Sequence, residues 1–140
     1  MSSITIAVVL DPAGVSRAVE QAQTWLEEEA EVDARTAMHV ALTLDELLTN
    51  VATHGGAEGQ GAEVRLEVAA HRVGVEIDDP AAAYDPRQAP VPDLDAGLDE
   101  RRIGGLGVHL VKKLSHDLTY DRDDGLNRTR YWVARRVAED

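Results

Sequence analysis

The 140-residue chain is strongly acidic, because 26 Asp and Glu residues stand against 14 Lys and Arg and give a formal net charge of -12. This charge argues against a nucleic-acid surface, which needs clustered positive charge to replace counterions, and against an anionic membrane as partner. No apolar run approaches the ~20 residues of a spanning helix, and no basic-then-apolar leader opens the chain. The lack of cysteine excludes a disulfide framework, a zinc-thiolate site and a thiol nucleophile. We therefore expect a cytoplasmic protein with a single domain, residues 1–140, that is long enough to bury a core.

The first part of the chain predicts one strand followed by two helices. Residues 3–10 alternate apolar side chains on one face, which is typical of a strand. Asp11 and Pro12 then give a helix start, a capping residue followed by proline in the first turn, and this helix continues into an acidic run. A second helix is expected over residues 33–54, and a glycine-rich turn that begins at Gly55 ends it.

The second part predicts two hairpins with a long loop and a short helix between them. Residues 64–68 and 73–77 alternate as two strands with a short connection, which is typical of a hairpin. Residues 81–103 have neither helical nor strand periodicity, and this segment is either a lid or a disordered insertion. A short amphipathic helix over 108–114 leads to a closing hairpin, whose turn we place at 123–127. The order β-α-α-β-β-loop-α-β-β predicts an α+β two-layer sandwich, with helices on one face of a mixed, mostly antiparallel sheet.

One stretch of the second helix carries candidate chemistry. Glu46, Asn50 and His54 stand four residues apart, and each step of four advances only about 40° around a helix, so the side chains form one polar ridge. The ridge is either a solvated helix face or part of a metal–nucleotide site. In the second case Asn50 offers an amide oxygen to Mg²⁺, and Glu46 accepts a proton from an attacking hydroxyl. Asp45 falls toward the apolar side of this helix, and we expect a partly buried ion pair there.

Two further candidates stand beside loops. Asp79 ends a strand, where a carboxylate either forms a turn or accepts from the exocyclic amine of adenine. Gly104-Gly-Leu-Gly107 leads directly into the short helix, and free backbone N–H groups at a helix start form an anion site. It is neither a P-loop, because no Lys-Ser/Thr pair follows, nor a dinucleotide fingerprint. Arg101 and Arg102 either neutralise a γ-phosphate or offset the acidic loop.

Three motifs in this order resemble the GHKL (Bergerat-fold) ATP-binding family, and within it the anti-sigma factor/serine kinases of bacterial partner-switching systems. Residues 46–54, Glu-Leu-Leu-Thr-Asn-Val-Ala-Thr-His, are similar to the family's N box. Residues 79–86 are similar to its D-x-G-x-x-F-D-P box, 104–114 to its second glycine box, and 120–127 to its terminal hairpin. The resemblance covers nearly the whole chain.

The resemblance implies a role for each matching residue. Asn50 would hold Mg²⁺, Glu46 would be the catalytic base, Asp79 would read adenine, and residues 87–104 would form the ATP lid. Ala81 stands where the family usually has glycine, so that the turn below adenine is reshaped or nucleotide binding is weakened. Arg102 aligns with the phosphate-contacting arginine of some relatives after a slip of one residue. The residues that would line the nucleotide are Asn50, His54, Asp79, Ala81, Tyr84, Arg102, Gly104, Gly105, Leu106, Gly107, Val108 and Thr129.

The function implied by the resemblance is an ATP- and Mg²⁺-dependent protein serine/threonine kinase. It would phosphorylate a STAS-type anti-anti-sigma antagonist and so control the release of a sigma factor or another target. A non-catalytic ATP-binding module that sequesters its target is the alternative, and a homodimer stays open. A histidine-kinase fragment is disfavoured, because such kinases need a dimerising helix with a phosphoacceptor histidine and the residues before the N box are committed to a strand and a helix.

Overall fold

The computed structural model describes residues 2–88 and 106–136. The elements follow in the predicted order: β1 (Ser2–Val9), α1 (Pro12–Glu28), α2 (Ala34–His54), β2 (Gly61–Val68), β3 (Arg72–Asp79), a 3₁₀ turn (Pro86–Gln88), α3 (Leu106–Leu114), β4 (His116–Asp123) and β5 (Leu126–Ala134). Most of the predicted lid, residues 87–104, lies outside the described residues. Within the described ranges, no helix combines the length and the apolar character needed to cross a bilayer.

The five strands form one sheet in the order β1-β2-β3-β5-β4, and each neighbouring pair is antiparallel. Alternate side chains face inward and are mostly aliphatic, so burying them against helices α1 and α2 removes a large apolar area from water. The fold class predicted from the sequence, an α+β two-layer sandwich, is confirmed. Large side chains that are fully buried include Ile6, Val8, Val64, Leu66, Val73 and Ile77 from the sheet, and Leu26, Val40, Leu44 and Leu48 from the two helices.

The outer face of the sheet is charged. Glu76 on β3 accepts from Arg65 on β2 at 3.2 Å and also from Arg130 on β5. Arg128 reaches Asp78 at 3.0 Å. Exposed ion pairs of this kind contribute little to stability. The buried polar side chains of the sheet, those of Asp79, Asn127 and Thr129, belong instead to its inner face.

Both long helices begin at an aspartate that caps the first turn. The carboxylate of Asp11 accepts from the backbone N–H of Gly14 at 2.6 Å. Asp33 accepts from the N–H of Thr36 at 3.0 Å and from the Thr36 hydroxyl at 2.6 Å. Such caps satisfy N–H groups that have no partner inside the helix. The cap at Asp33 fixes where α2 starts and hence which residues of α2 face the sheet.

Two expectations from the sequence are wrong. Asp45 is exposed and makes no ion pair with a described residue, because it lies on the solvent side of α2. The turn of the closing hairpin is shorter than 123–127. Asp124 and Gly125 alone form it, with φ of 56° and 76°, the geometry of a tight two-residue turn whose twist matches the strands. As a consequence Asn127 belongs to β5 and faces inward.

Replacing Asp33 with alanine removes the cap of α2, and we expect the free energy of unfolding to fall by about 1 kcal/mol. Urea denaturation followed by circular dichroism measures this. Asp45→Ala is the matched control, because it removes the same carboxylate from an exposed position inside the same helix. Equal losses for the two variants would contradict a capping role.

Candidate functional site

The inner face of the sheet changes from apolar to polar at one end. Asp79 closes β3, and Asn127 and Thr129 lie near the start of β5, with exposed fractions of 2%, 3% and 6%. Asp79 and Asn127 are direct partners in the β3–β5 register, so both side chains stand on the same face. Burying a carboxylate and a carboxamide is costly unless they are hydrogen-bonded, so this polar end needs a specific arrangement of partners.

One oxygen of Asp79 is fully engaged and the other is not. Oδ1 accepts from the Asn127 amide at 3.0 Å and from the backbone N–H of Ala81 at 3.0 Å. No described residue donates to Oδ2. Burial raises the pKa of Asp79, and the hydrogen bond from Asn127 opposes that rise. Asp79 therefore presents a held carboxylate whose second oxygen is available to accept a hydrogen bond from a ligand.

The turn after β3 lies against the end of α2. Gly55, the residue that ends α2, accepts a hydrogen bond from the N–H of Ala82 at 3.0 Å. A Cβ placed on Gly55 would come within 2.5 Å of the Ala81 Cβ, and Ala81 is buried. The Ala81 methyl group, which replaces the family's glycine, is thus accommodated by a glycine on the neighbouring helix.

A second convergence lies nearer the middle of α2. Gly107, in the first turn of α3, touches the Glu46 carboxylate, and a Cβ on Gly107 would overlap that carboxylate. Burial raises the pKa of Tyr84, and the negative charges of Glu46 and Asp85 add to that rise. The first and the third sequence motifs therefore meet at this carboxylate, through Glu46 and Gly107.

Helix α2 connects the two groups of residues. Gly55 follows Glu46 by nine positions, which is about 13 Å along a helix. Asn50 lies between them, on the polar ridge that Glu46 begins. Asn50 is half-buried, and its side chain makes no hydrogen bond with a described residue; His54 is exposed. The described residues contain no cluster of three or more His, Asp or Glu side chains that could hold a metal ion. An elongated ligand lying along this ridge would meet Asp79 at one end and Glu46 at the other.

The remaining predicted ligand contacts have different positions. Val108 is buried, so its backbone rather than its side chain is available to a ligand. Thr129 faces inward opposite Ile77 and makes no hydrogen bond to Asp79. Leu106 begins α3, and its side chain is not described. Arg102, Gly104 and Gly105 lie outside the described residues.

Asn127 is the site residue that sequence reasoning missed. The predicted hairpin turn, residues 123–127, includes Asn127, and the family resemblance implies Thr129 as the adenine contact instead. A signal was present in the sequence, because Asn127 continues the two-residue alternation of Thr129, Tyr131 and Val133. That alternation places Asn127 on the inner face of the last strand.

The two-layer sandwich, with a carboxylate at a strand end and a glycine-led helix against the polar ridge of a second helix, defines a nucleotide-binding domain of the ATPase type. Residues 8–132 match the histidine kinase-like ATPase domain family, HATPase_c_2, and the chain belongs to this family. The resemblance drawn from the three motifs is thereby confirmed.

Two known proteins narrow the comparison. The chain is 39% identical over 108 residues to the serine/threonine-protein kinase BtrW of Bordetella bronchiseptica, an alignment that covers 74% of this chain and 76% of BtrW. The fold is similar to the crystal structure of the RsbU and RsbW domains of Rv1364c from Mycobacterium tuberculosis, with a TM-score of 0.68 and 15% identity. That match covers 99% of this chain but 34% of the solved chain, so this chain spans about a third of it. The protein is of the serine/threonine-kinase type within the family.

Replacing Gly107 with alanine places a methyl group on the Glu46 carboxylate. We expect a cost of about 1–3 kcal/mol in stability, because the helix or the carboxylate must move, together with a loss of Mg-ATP affinity. Thermal unfolding and titration calorimetry measure the two effects. Gly74→Ala is the matched control, since a Cβ there meets its nearest atoms at 3.7 and 4.0 Å. If the contact is the cause, adding Glu46→Ala to the Gly107→Ala protein restores the melting temperature.

Replacing Ala81 with glycine tests whether the departure from the family pattern affects the ligand. Because the Ala81 methyl packs against Gly55, we expect Ala81→Gly to lose about 1 kcal/mol of stability while its affinity for Mg-ATP stays unchanged. Titration calorimetry measures the affinity of the Ala81→Gly protein for Mg-ATP. A clear gain in affinity would mean that the methyl group obstructs the nucleotide.

Proposed function

We propose that this protein is an ATP- and Mg²⁺-dependent protein serine/threonine kinase that acts in the cytoplasm on a small protein antagonist of the STAS type. Through that reaction it would control the release of a sigma factor or another regulator. The observation that supports the proposal most directly is the contact of the Glu46 carboxylate with the first turn of α3 at Gly107. In this arrangement a proton acceptor stands beside the helix start expected to bind phosphate.

The residues present fit a magnesium-bound nucleotide. Asn50 is half-buried with an amide that no described residue engages, and Gly107 leaves its backbone open to close approach. Asn50 would offer the protein oxygen to Mg²⁺, and Asp79 Oδ2 would accept from the adenine amine. When bound, Mg²⁺ neutralises negative charge on the phosphates. Two features remain predictions from the motifs. They are the ligand contacts of Arg102, Gly104 and Gly105, and the closure of a lid formed by residues 87–104.

In the proposed reaction Glu46 accepts the proton of a substrate hydroxyl as the hydroxyl oxygen attacks the terminal phosphorus of ATP. The bond from that phosphorus to the oxygen shared with the next phosphate breaks, and ADP leaves with the electron pair. Phosphoryl transfer depends mainly on positioning and charge stabilisation, so a single well-placed carboxylate is sufficient as a base.

The proposed partner rests on the kinase group to which the chain belongs. The relative BtrW is named a serine/threonine-protein kinase, and the solved structure pairs an RsbW domain with an RsbU domain in one chain. We propose by analogy that this protein acts in a partner-switching system. Sequestration of a target without catalysis is the second candidate.

Glu46→Gln tests the proposal because it keeps the shape of the side chain and removes its basicity. We expect transfer of radiolabelled phosphate from ATP to the candidate STAS antagonist to fall by about 100-fold or more, while Mg-ATP binding is retained. Asp45→Asn is the matched control, since it removes the same charge one residue away at an exposed position.

Two results would speak against this assignment. Transfer by Glu46→Gln at the wild-type rate would exclude Glu46 as the base. Nucleotide and antagonist binding by the wild-type protein without any transfer would favour the sequestering module.

A further inference from the structure

A row of three polar side chains crosses the sheet beneath the proposed adenine end. Arg122 on β4 is the register partner of Asn127 on β5, and Asn127 is the register partner of Asp79 on β3. Direct partners in antiparallel strands share a face, so all three side chains point to the inner side of the sheet. Asn127 is the central member and is buried.

The Asn127 carboxamide is engaged at both of its ends. Its nitrogen donates to Asp79 Oδ1 at 3.0 Å, to the Ala82 carbonyl at 2.9 Å and to the Ala81 carbonyl at 3.2 Å. Its oxygen accepts from the Arg122 guanidinium at 2.8 Å and from the Tyr120 hydroxyl. The nitrogen faces acceptors and the oxygen faces donors, so a flipped amide would lose these bonds. The orientation of Asn127 is therefore fixed.

The same group of residues holds the backbone of the turn after β3. Arg122 donates to the Ala81 carbonyl at 3.0 Å, in addition to its bond to Asn127. On its other side this turn is held by α2, through the hydrogen bond from Ala82 to Gly55. Asp79 thus lies in a segment fixed both by the closing hairpin and by the helix that carries Glu46.

We propose that Asn127, held in place by Arg122 and Tyr120, is a positioning residue that orients Asp79 and thereby determines which nucleobase the site accepts. The proposal rests on the nucleotide-binding role proposed above. Because Asn127 and the Ala81 N–H occupy Oδ1, the oxygen left for a ligand is Oδ2, which as a carboxylate oxygen can only accept. A purine that presents an amine at this point donates to Oδ2 and is bound. A purine that presents a carbonyl group is rejected, because its carbonyl oxygen and Oδ2 are both acceptors.

The test measures the affinity of the full chain for Mg-ATP and for Mg-GTP by titration calorimetry. In the Asn127→Ser protein the shorter hydroxyl cannot span these partners. We expect its affinity for Mg-ATP to fall by about tenfold and the ratio of ATP to GTP affinity to narrow. Arg122→Met and Tyr120→Phe leave Asn127 in place but remove its donors, and should narrow the same ratio to a smaller extent. Arg122→Lys, which keeps one donor, should recover part of the loss.

The pH dependence gives a second readout. Asp79 must be ionised to accept through Oδ2, so affinity is lost as pH falls through the pKa of Asp79. Asn127 opposes the rise that burial causes in that pKa. In the Asn127→Ser protein the loss of Mg-ATP affinity should therefore begin at a higher pH than in the wild type. Arg130→Met, which changes neither the burial of Asp79 nor its hydrogen bonds, should leave that pH unmoved.

Two control variants remove comparable groups that do not contact Asp79. Tyr131 is on β5, like Asn127, and Tyr131→Phe removes a buried hydroxyl that donates to the Thr43 hydroxyl of α2 at 2.8 Å. Arg130→Met removes an arginine that pairs with Glu76 on the outer face. Tyr131→Phe should lower the melting temperature and Arg130→Met should change it little, and neither should change the ratio of ATP to GTP affinity.

The possible outcomes separate this inference from the proposed function. If the wild-type protein prefers ATP to GTP and the Asn127, Arg122 and Tyr120 variants keep that ratio, the positioning role is wrong while the nucleotide site stands. If the controls narrow the ratio as much as the test variants, the effect is one of general stability and the inference is also wrong. Failure of the wild-type protein to bind either nucleotide would overturn both proposals. If Asn127→Ser does not fold, Tyr120→Phe decides the matter, since it deletes one hydroxyl.

Discussion

The candidate site depends on the antiparallel pairing of β3 with β5. This register places Asn127 opposite Asp79 on the face of the sheet that is mostly aliphatic. A buried carboxylate is destabilising unless its charge is stabilised by donors, and here one amide and one backbone N–H supply them to the same oxygen. The second oxygen is thereby left for a ligand. A shift of the register by one residue would turn Asn127 to the outer face and remove that arrangement.

Helix α2 is the element that joins this polar end to the rest of the chemistry. Its last residues contact the turn after β3, and its middle contacts the first turn of α3 through Glu46 and Gly107. Both contacts are close enough that glycine is needed on one side, at Gly55 and at Gly107. The helix also packs its aliphatic stripe against the sheet, so the forces that stabilise the core set the distance between the two ends of the site. Stability and the geometry of the candidate site are therefore linked.

The departure of Ala81 from the family's glycine illustrates the same linkage. Considered by itself, a methyl group in the turn beneath the proposed adenine position would be expected to obstruct the ligand or reshape the turn. In the structure that methyl lies against Gly55, and the Ala81 carbonyl accepts from Arg122 and Asn127. The turn is thus fixed by neighbours from the end of α2 and from the closing hairpin. Its conformation depends on those neighbours more than on the residue type at position 81.

Local features follow from the sequence alone, because they depend on periodicity and on residues close together in the chain. These features are the order and type of the elements, the capped starts of α1 and α2, and the ridge of Glu46, Asn50 and His54. The family also follows from motifs that lie within short segments. The sheet order, the exposure of Asp45 and the roles of Gly55 and Asn127 were decided by the tertiary structure. The residues around Asn127 are typical of a turn. Asn127 becomes a partner of Asp79 through a strand pairing between residues 48 positions apart. Contacts over such separations depend on how the packed elements align, which local sequence patterns do not specify.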